Sequence, residues 1–133
     1  MTLLVDTSVW SLALRRDARA EGAEVQALRT ALAGNQSVVT TGLILQELLQ
    51  GFSGPRARRE IIEKFSALLL IPPDRQDHIE ASELRNRCRR AGVQVSTIDA
   101  LLIQLCARHD LVMLTTDRAF TLAAKHCDFR VWQ

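Results

Sequence analysis

Leu3-Leu4-Val5-Asp6-Thr7-Ser8-Val9-Trp10 is the stretch on which the reading of the fold turns. Leu3, Leu4 and Val5 form an apolar run too short for a helix and suited to a strand covered on both faces. The run ends at a carboxylate. Asp6, Thr7 and Ser8 then offer side-chain oxygens to cap a helix that Val9, Trp10 and Leu12 to Leu14 suggest. Asp6 is thereby placed where a buried strand hands over to a helix. In open parallel sheets that edge is where ligands bind, although a plain helix cap accounts for an aspartate there equally well.

Working outward, strands and helices alternate. A polar connection, Arg15 to Arg19, leads to a helix from Glu21 to Ala33 with Val25, Leu28 and Leu32 on one face and Gly34-Asn35 as its stop. Ser37 to Thr40 reads as a second strand. The helix from Thr41 or Gly42 to Gln50 is apolar almost all round, yet Glu47 sits within it. A carboxylate is rarely buried unless paired or bound to metal, so either Glu47 serves a site or it shares an exposed strip with Gln46 and Gln50.

Gly54-Pro55 opens a basic amphipathic helix to Ala67, and Leu68 to Ile71 reads as a third strand. Pro72-Pro73-Asp74 starts a helix from Arg75 to Ala91 with Ile79, Leu84 and Cys88 turned inward. It ends in Arg85, Arg87, Arg89 and Arg90. Cations at a helix C-terminus complement its dipole, but four exceed that need, and a phosphate-contacting face is the functional reading against a solvated one. Ser96 to Asp99 resembles a capping box with Asp in place of Glu, opening the helix from Ala100 to Ala107. Val112 to Leu114 is a fourth strand. Asp117 follows it as Asp6 follows the first, before a helix from Arg118 to Lys125 and a last strand over Phe129 to Trp132. The expected architecture is one domain over residues 1–133, a three-layer α/β/α sandwich around a mainly parallel five-stranded sheet.

Composition narrows the class. The 133 residues are 47% hydrophobic and carry a net charge of +2, which argues for a compact domain over a disordered chain. Over half of the 17 Lys and Arg residues fall between Arg56 and Arg90. No apolar run is long enough to cross a bilayer, and the N-terminus lacks signal-peptide features, so a cytoplasmic location is expected. Three cysteines without close sequence pairs make no disulfide framework. Cys106-x-x-His109 with His126-Cys127 offers zinc donors on paper. Cys106 lies mid-helix on an apolar face, however, where a buried thiol is the default.

The carboxylates gain meaning together. Parallel strands bring Asp6 and Asp117 to one sheet edge, and the helices carrying Glu47 and Asp99 start near it. Like charges so gathered repel unless a cation intervenes, and carboxylate oxygens favour magnesium or manganese over zinc.

Leu4-Val5-Asp6-Thr7-Ser8-Val9-Trp10, the mid-helix Glu47, Asp99-Ala100-Leu101-Leu102 and Leu114-Thr115-Thr116-Asp117-Arg118-Ala119-Phe120 resemble the motifs of PIN-domain ribonucleases, and more closely those of VapC toxins of toxin–antitoxin pairs. The resemblance spans essentially the whole chain. It implies a catalytic quartet of Asp6, Glu47, Asp99 and Asp117. Asp6, Asp99 and Asp117 would hold Mg2+, with Mn2+ as a substitute, and Thr115 would support them. Arg118 and Ala119 stand where some members carry a further acid, so one metal ion or two stays open. The implied activity is endoribonuclease hydrolysis leaving a 5′-phosphate and a 3′-hydroxyl. The implied partners are an RNA, a VapB-like antitoxin whose tail brings a basic side chain to the acids, and a second copy in a homodimer. Trp10 and Phe65, on helices with apolar residues beyond one face, are read as part of the antitoxin groove or as core. The alternative is a catalytically inactive PIN-like RNA- or protein-binding module. A phosphatase-like hydrolase lacks support, since no Asp-x-Asp pair follows the first strand. Few aromatics and no tyrosine leave RNA recognition to shape and phosphate contacts more than to stacking.

Overall fold

The computed structural model describes residues 1–15, 22–34 and 36–133. The expected connection at 16–19, the helix start at Glu21 and the stop at Asn35 lie outside the described residues. Among the described residues the elements run β1 (Thr2–Val5), α1 (Thr7–Leu14), α2 (Ala23–Ala33), β2 (Ser37–Thr40), α3 (Gly42–Gly51), α4 (Pro55–Ser66), β3 (Leu69–Leu70), α5 (Arg75–Arg90), α6 (Thr97–His109), β4 (Leu111–Leu114), α7 (Arg118–Ala123) and β5 (Arg130–Val131). Every strand pairing is parallel, in the order β3-β2-β1-β4-β5.

That order fixes where a ligand can sit. From β1 the chain steps outward through β2 to β3, then crosses to the other side of β1 for β4 and β5. Right-handed crossovers therefore put α1 to α4 on one face of the sheet and α5 to α7 on the other. The helix packing follows the same division, with α1 against α2 and α3, α3 against α4, and α5 against α6. Leu3, Leu4 and Val5 of β1 and Met113 and Leu114 of β4 are wholly buried between the two layers. The strand order reverses between β1 and β4, and the crevice beyond their C-terminal ends is the switch point of such sheets.

Local sequence explains the element ends. Pro55 begins α4, where its missing N–H is one that no helix could satisfy. Thr41 caps α3 and Ser96 caps α6, each through a side-chain oxygen. The reciprocal capping box lies at α5, where Asp74 accepts from the Asp77 N–H and Asp77 accepts from the Asp74 N–H.

Several sequence expectations shift. In α5 the inward stripe is Asp77, Ala81, Leu84 and Cys88, while Ile79 is 46% exposed. Asp77 takes an inward position because Gln104 and Arg108 of α6 satisfy it. In α2, Ala31 is buried with Val25 and Leu28, whereas Leu32 faces out. The third strand is an edge of two exposed leucines, continued only by Ile71 N–H donating to Thr40 O at 2.8 Å. Trp10 and Phe65 belong to the core, both buried, with ring centroids 4.8 Å apart. They offer no surface to a partner. Cys106 is buried in α6, and Cys127 lies with its sulfur 3.4 Å from that of Cys88, a neighbour the sequence did not suggest.

Candidate active site

Asp6 and Thr115 are the first residues past β1 and β4. The strands are in register at Val5 and Leu114, and the Asp6 N–H donates to Leu114 O at 2.9 Å. This pairing sets their side chains next to each other. Thr115 Oγ1 donates to Asp6 Oδ2 at 2.9 Å, and Ser8 Oγ donates to the same oxygen at 2.8 Å. Asp6 occupies the N-cap position of α1 but makes no side-chain cap hydrogen bond. The plain helix-cap reading of Asp6 therefore fails: its carboxylate accepts from the Ser8 and Thr115 hydroxyls instead. It is only 7% exposed.

Glu47 arrives from the other neighbour of β1. It lies half-buried on α3, while Gln46 and Gln50 are exposed, so it does not share their solvated strip. Thr7 Oγ1 donates to Glu47 Oε1 at 3.0 Å, tying α3 to the first turn of α1. Asp99 stands in the first turn of α6, its N–H bound to Ser96 Oγ at 3.0 Å. Asp117 caps α7 by accepting from the Ala119 N–H at 2.9 Å, and its own N–H donates to Thr115 Oγ1 at 2.9 Å. Its cap role is real, and its side chain is exposed toward the crevice wall.

Asp99 carries the one raised carboxyl resolved among the described residues. Burial pushes its carboxyl up to about 6. A hydrogen bond with Ser96 opposes that rise, while the charges of Asp6, Asp117 and Glu47 add to it. Among the described residues no three His, Cys, Asp or Glu side chains close on a single point as a preformed metal cage. The donor chemistry is nevertheless that of a hard, oxygen-seeking cation. Magnesium keeps several waters and is commonly held by only one or two carboxylates, so it fits an open acidic crevice of this kind.

A cleft of about 510 Å³ runs from this point, lined by Arg85, Arg89, Val93, Gln94, Val95, Ser96, Asp99, Asp117 and Ala119. Arg85 and Arg89, one turn apart on α5, thus share a cavity with two of the acids. Arg85 is held there by its Nε donating to Val95 O at 2.8 Å. Arg87 and Arg90 are exposed on other parts of the helix end and do not line the cleft. Ser8 and Thr7 are the contributors that sequence reading undervalued. Each looked like capping chemistry, and the signal for more was the run of two hydroxyls directly after Asp6.

Fold and site define a parallel α/β domain with an acidic crevice at its topological switch point. The chain belongs to the PIN domain family, whose model matches residues 3–126. No curated protein sequence matches it. Among solved structures it is similar to FitAcB from Neisseria gonorrhoeae, at 19% identity and a TM-score of 0.72, covering 98% of this chain and 96% of that one. It is similar also to VapBC2 from Rickettsia felis bound to a DNA fragment from their promoter, at 16% identity and a TM-score of 0.75, with 99% and 98% covered. VapC20 from Mycobacterium tuberculosis, a sarcin-ricin loop cleaving toxin, is 23% identical with a TM-score of 0.71, over 96% of this chain and 98% of that one. These likenesses establish a shared fold.

Proposed function

We infer that this chain is a VapC-type toxin, a divalent-metal-dependent endoribonuclease that hydrolyses RNA phosphodiesters at Asp6, Glu47, Asp99 and Asp117. The observation that carries this reading is that Thr115, at the paired ends of β1 and β4, joins Asp6 to Asp117, while Asp117 lines one cleft with Asp99. Membership of the PIN family and the fold shared with VapBC and FitAcB proteins support it.

Asp6, Asp99 and Asp117 would hold Mg2+, or Mn2+ in its place, directly or through water, with Glu47 completing the set or orienting the attacking water. A divalent ion bound there supplies charge neutralisation at the phosphate and lowers the pKa of a water. The protein's own part is to concentrate carboxylates where no histidine stands. Thr115 and Ser8 fix Asp6, Thr7 fixes Glu47, and a carboxylate takes the proton of the incoming water. Arg85 and Arg89 would contact RNA phosphates along the cleft, and Arg87 and Arg90 would add to the positive field at the helix end. The partners follow the same line: a VapB-like antitoxin and a second copy of the chain. Among the described residues no helix is long and apolar enough to cross a membrane.

The test is to incubate purified chain with RNA in Mg2+ or Mn2+ and map the new 5′-phosphate ends. Cleavage that is lost with chelator and in Asp6→Asn supports the reading. RNA bound but uncut under all metals would make the chain a catalytically inactive PIN-like binding module.

A further inference from the structure

Cys88 and Cys127 stand 39 residues apart on different elements, yet their sulfurs are 3.4 Å from each other. Cys88 lies on the inner side of α5, wholly buried, two residues before that helix ends. Cys127 lies in the turns that follow α7 and keeps 7% of its surface. Each is fastened to one wall of the acidic cleft. Arg85 and Arg89, on either side of Cys88 in α5, line the cleft. The Cys88 carbonyl accepts from the N–H of Val93, a third lining residue, at 2.8 Å. From the other wall come Asp117 and Ala119 at the start of α7, and the Cys127 N–H donates to Ala123 O at the end of that helix, at 3.0 Å. The sulfur contact thus joins the ends of the two helices between which the cleft opens. Burial, and contact with Cys127, push the Cys88 thiol up to about 11. Cys127, the sulfur with an exposed edge, is therefore the one that a small oxidant meets first.

We propose that Cys88 and Cys127 are a redox-responsive pair, whose disulfide ties the ends of α5 and α7 together and stiffens the cleft they line. Hydrogen peroxide is the oxidant. Cys127 Sγ attacks one peroxide oxygen, the O–O bond breaks, and a sulfenic acid forms as the thiol proton and the departing hydroxide make water. Cys88 Sγ then attacks Cys127 Sγ. The S–S bond forms, the S–O bond breaks, and the hydroxyl leaves with the Cys88 proton as a second water. Two thiols are oxidised to one disulfide, and one peroxide is reduced to two waters. A disulfide needs its sulfurs about 2.0 Å apart, so the pair must close by about 1.4 Å. Helix ends absorb such a shift more readily than a close-packed strand. A dithiol reductant reverses the bond by exchange. Formation of the bond stands apart from the nuclease reading, and only its effect on RNA rests on that reading.

The experiment treats the purified, folded chain with hydrogen peroxide and compares it before and after dithiothreitol. Peptide mass mapping is expected to find one linkage, Cys88 to Cys127, with Cys106 still a thiol, since burial pushes Cys106 up to about 12. Hydrogen exchange over Val93 to Ser96 should slow in the oxidised form. RNA cleavage should fall, by up to about a hundredfold, as a displacement of about an ångström at a reacting site can cause. Dithiothreitol should restore both. Cys127→Ala and Cys88→Ala, each checked for folding by thermal melt, should show neither change under peroxide, which separates the disulfide from oxidation of methionine. A linkage that forms only in urea, or none at all, overturns the proposal. A linkage that leaves exchange over Val93 to Ser96 unchanged overturns its tie to the cleft. A reduced chain that cuts no RNA overturns the nuclease reading instead, and the mass map and hydrogen exchange still decide the redox pair.

Discussion

Thr115 and Asp6, 109 residues apart in the chain, meet through a hydrogen bond of 2.9 Å between hydroxyl and carboxylate. The bond exists because β1 and β4 are adjacent parallel strands in register, and it closes the switch point of the sheet. Thr115 also accepts from the Asp117 N–H, so one hydroxyl joins two of the four acids.

Replacing Thr115 by valine keeps the shape and removes both bonds. Asp6, 7% exposed, keeps Ser8 as donor, and the Asp117 N–H loses its acceptor. The expected cost is about 1–3 kcal/mol, the penalty of leaving buried polar groups under-satisfied, read as a lower urea midpoint at unchanged m-value. RNA cleavage should fall as well. Full stability in Thr115→Val would mean that water replaces the hydroxyl at no cost.

Asp99 makes the stability of the metal-free protein depend on pH. Its carboxyl is raised from 3.8 to about 6, chiefly by burial and further by Asp6, Asp117 and Glu47. A raised carboxyl binds its proton more tightly folded than unfolded. Its contribution is therefore most favourable below pH 4 and is lost as pH rises through about 6. Because the group is partly open to solvent, the loss is on the order of 1–2 kcal/mol, well short of an unscreened value. Asp99→Asn should flatten this slope between pH 4 and 7 in chelator. Asp6→Asn removes one repelling charge and should raise the metal-free melting temperature while abolishing cleavage. A falling melting temperature in Asp6→Asn would place the weight of Asp6 in its hydrogen bonds instead.

Asp77 carries the opposite sign. Burial alone would raise its carboxyl. Hydrogen bonds from the Asp74 backbone, Arg108 and Gln104, together with the charge of Arg108, outweigh burial and hold it below 3.8. The stability it contributes is present above its unfolded pKa and is lost as pH falls through the depressed folded value. Arg108→Ala strands a fully buried carboxylate whose partner sits at 2.7 Å. The expected cost is about 2–4 kcal/mol, below the full penalty of a buried pair because Arg108 is itself partly exposed. Asp77→Asn should cost less and should make acid unfolding less steep. Equal losses in the two variants would argue that shape, and not charge, is what the site needs.

These cases show what the chain makes legible and what it hides. The parallel sheet could be read because Leu3 to Val5 and Val112 to Leu114 are continuous apolar runs that end in polar residues. Glu47 could be singled out because a carboxylate is out of place in an apolar helix. Its partner Thr7, 40 residues away, could not, because nothing local marks a hydroxyl that meets another helix. Asp77 escaped for a related reason. Polar residues near a helix start look like caps, and only the packing of α5 on α6 shows that Arg108 meets the same capping oxygen, Oδ2, while Gln104 meets Oδ1. Ile79 and Leu32 were placed inward on hydrophobicity alone, while the true stripes run through smaller or polar residues. Trp10 and Phe65 drew attention as surplus apolar surface, yet each fills the core beside the other.

The arginines at the end of α5 give the sharpest division between a nucleic-acid face and a solvated helix end. Only Arg85 and Arg89 of the four line the cleft with Asp99 and Asp117. Arg85 is also spent on Val95 O, so its removal would disturb the 93–96 segment as well as charge. Arg89 is the cleaner probe, being exposed, with a long contact of 3.3 Å to Asn86. A phosphate contact on single-stranded nucleic acid contributes about 0.7 to the slope of log affinity against log salt. Arg89→Gln should therefore weaken RNA binding and lower that slope by about 0.7, as one lost phosphate contact requires. Arg87→Gln and Arg90→Gln, off the cleft, should change the slope by less than half as much. Filter binding of the catalytically silent Asp6→Asn background, from low to moderate salt, measures all three without cleavage of the probe. Equal effects at Arg87, Arg89 and Arg90 would make the cluster a diffuse positive field, and an unchanged slope at Arg89 would remove the cleft from the RNA path.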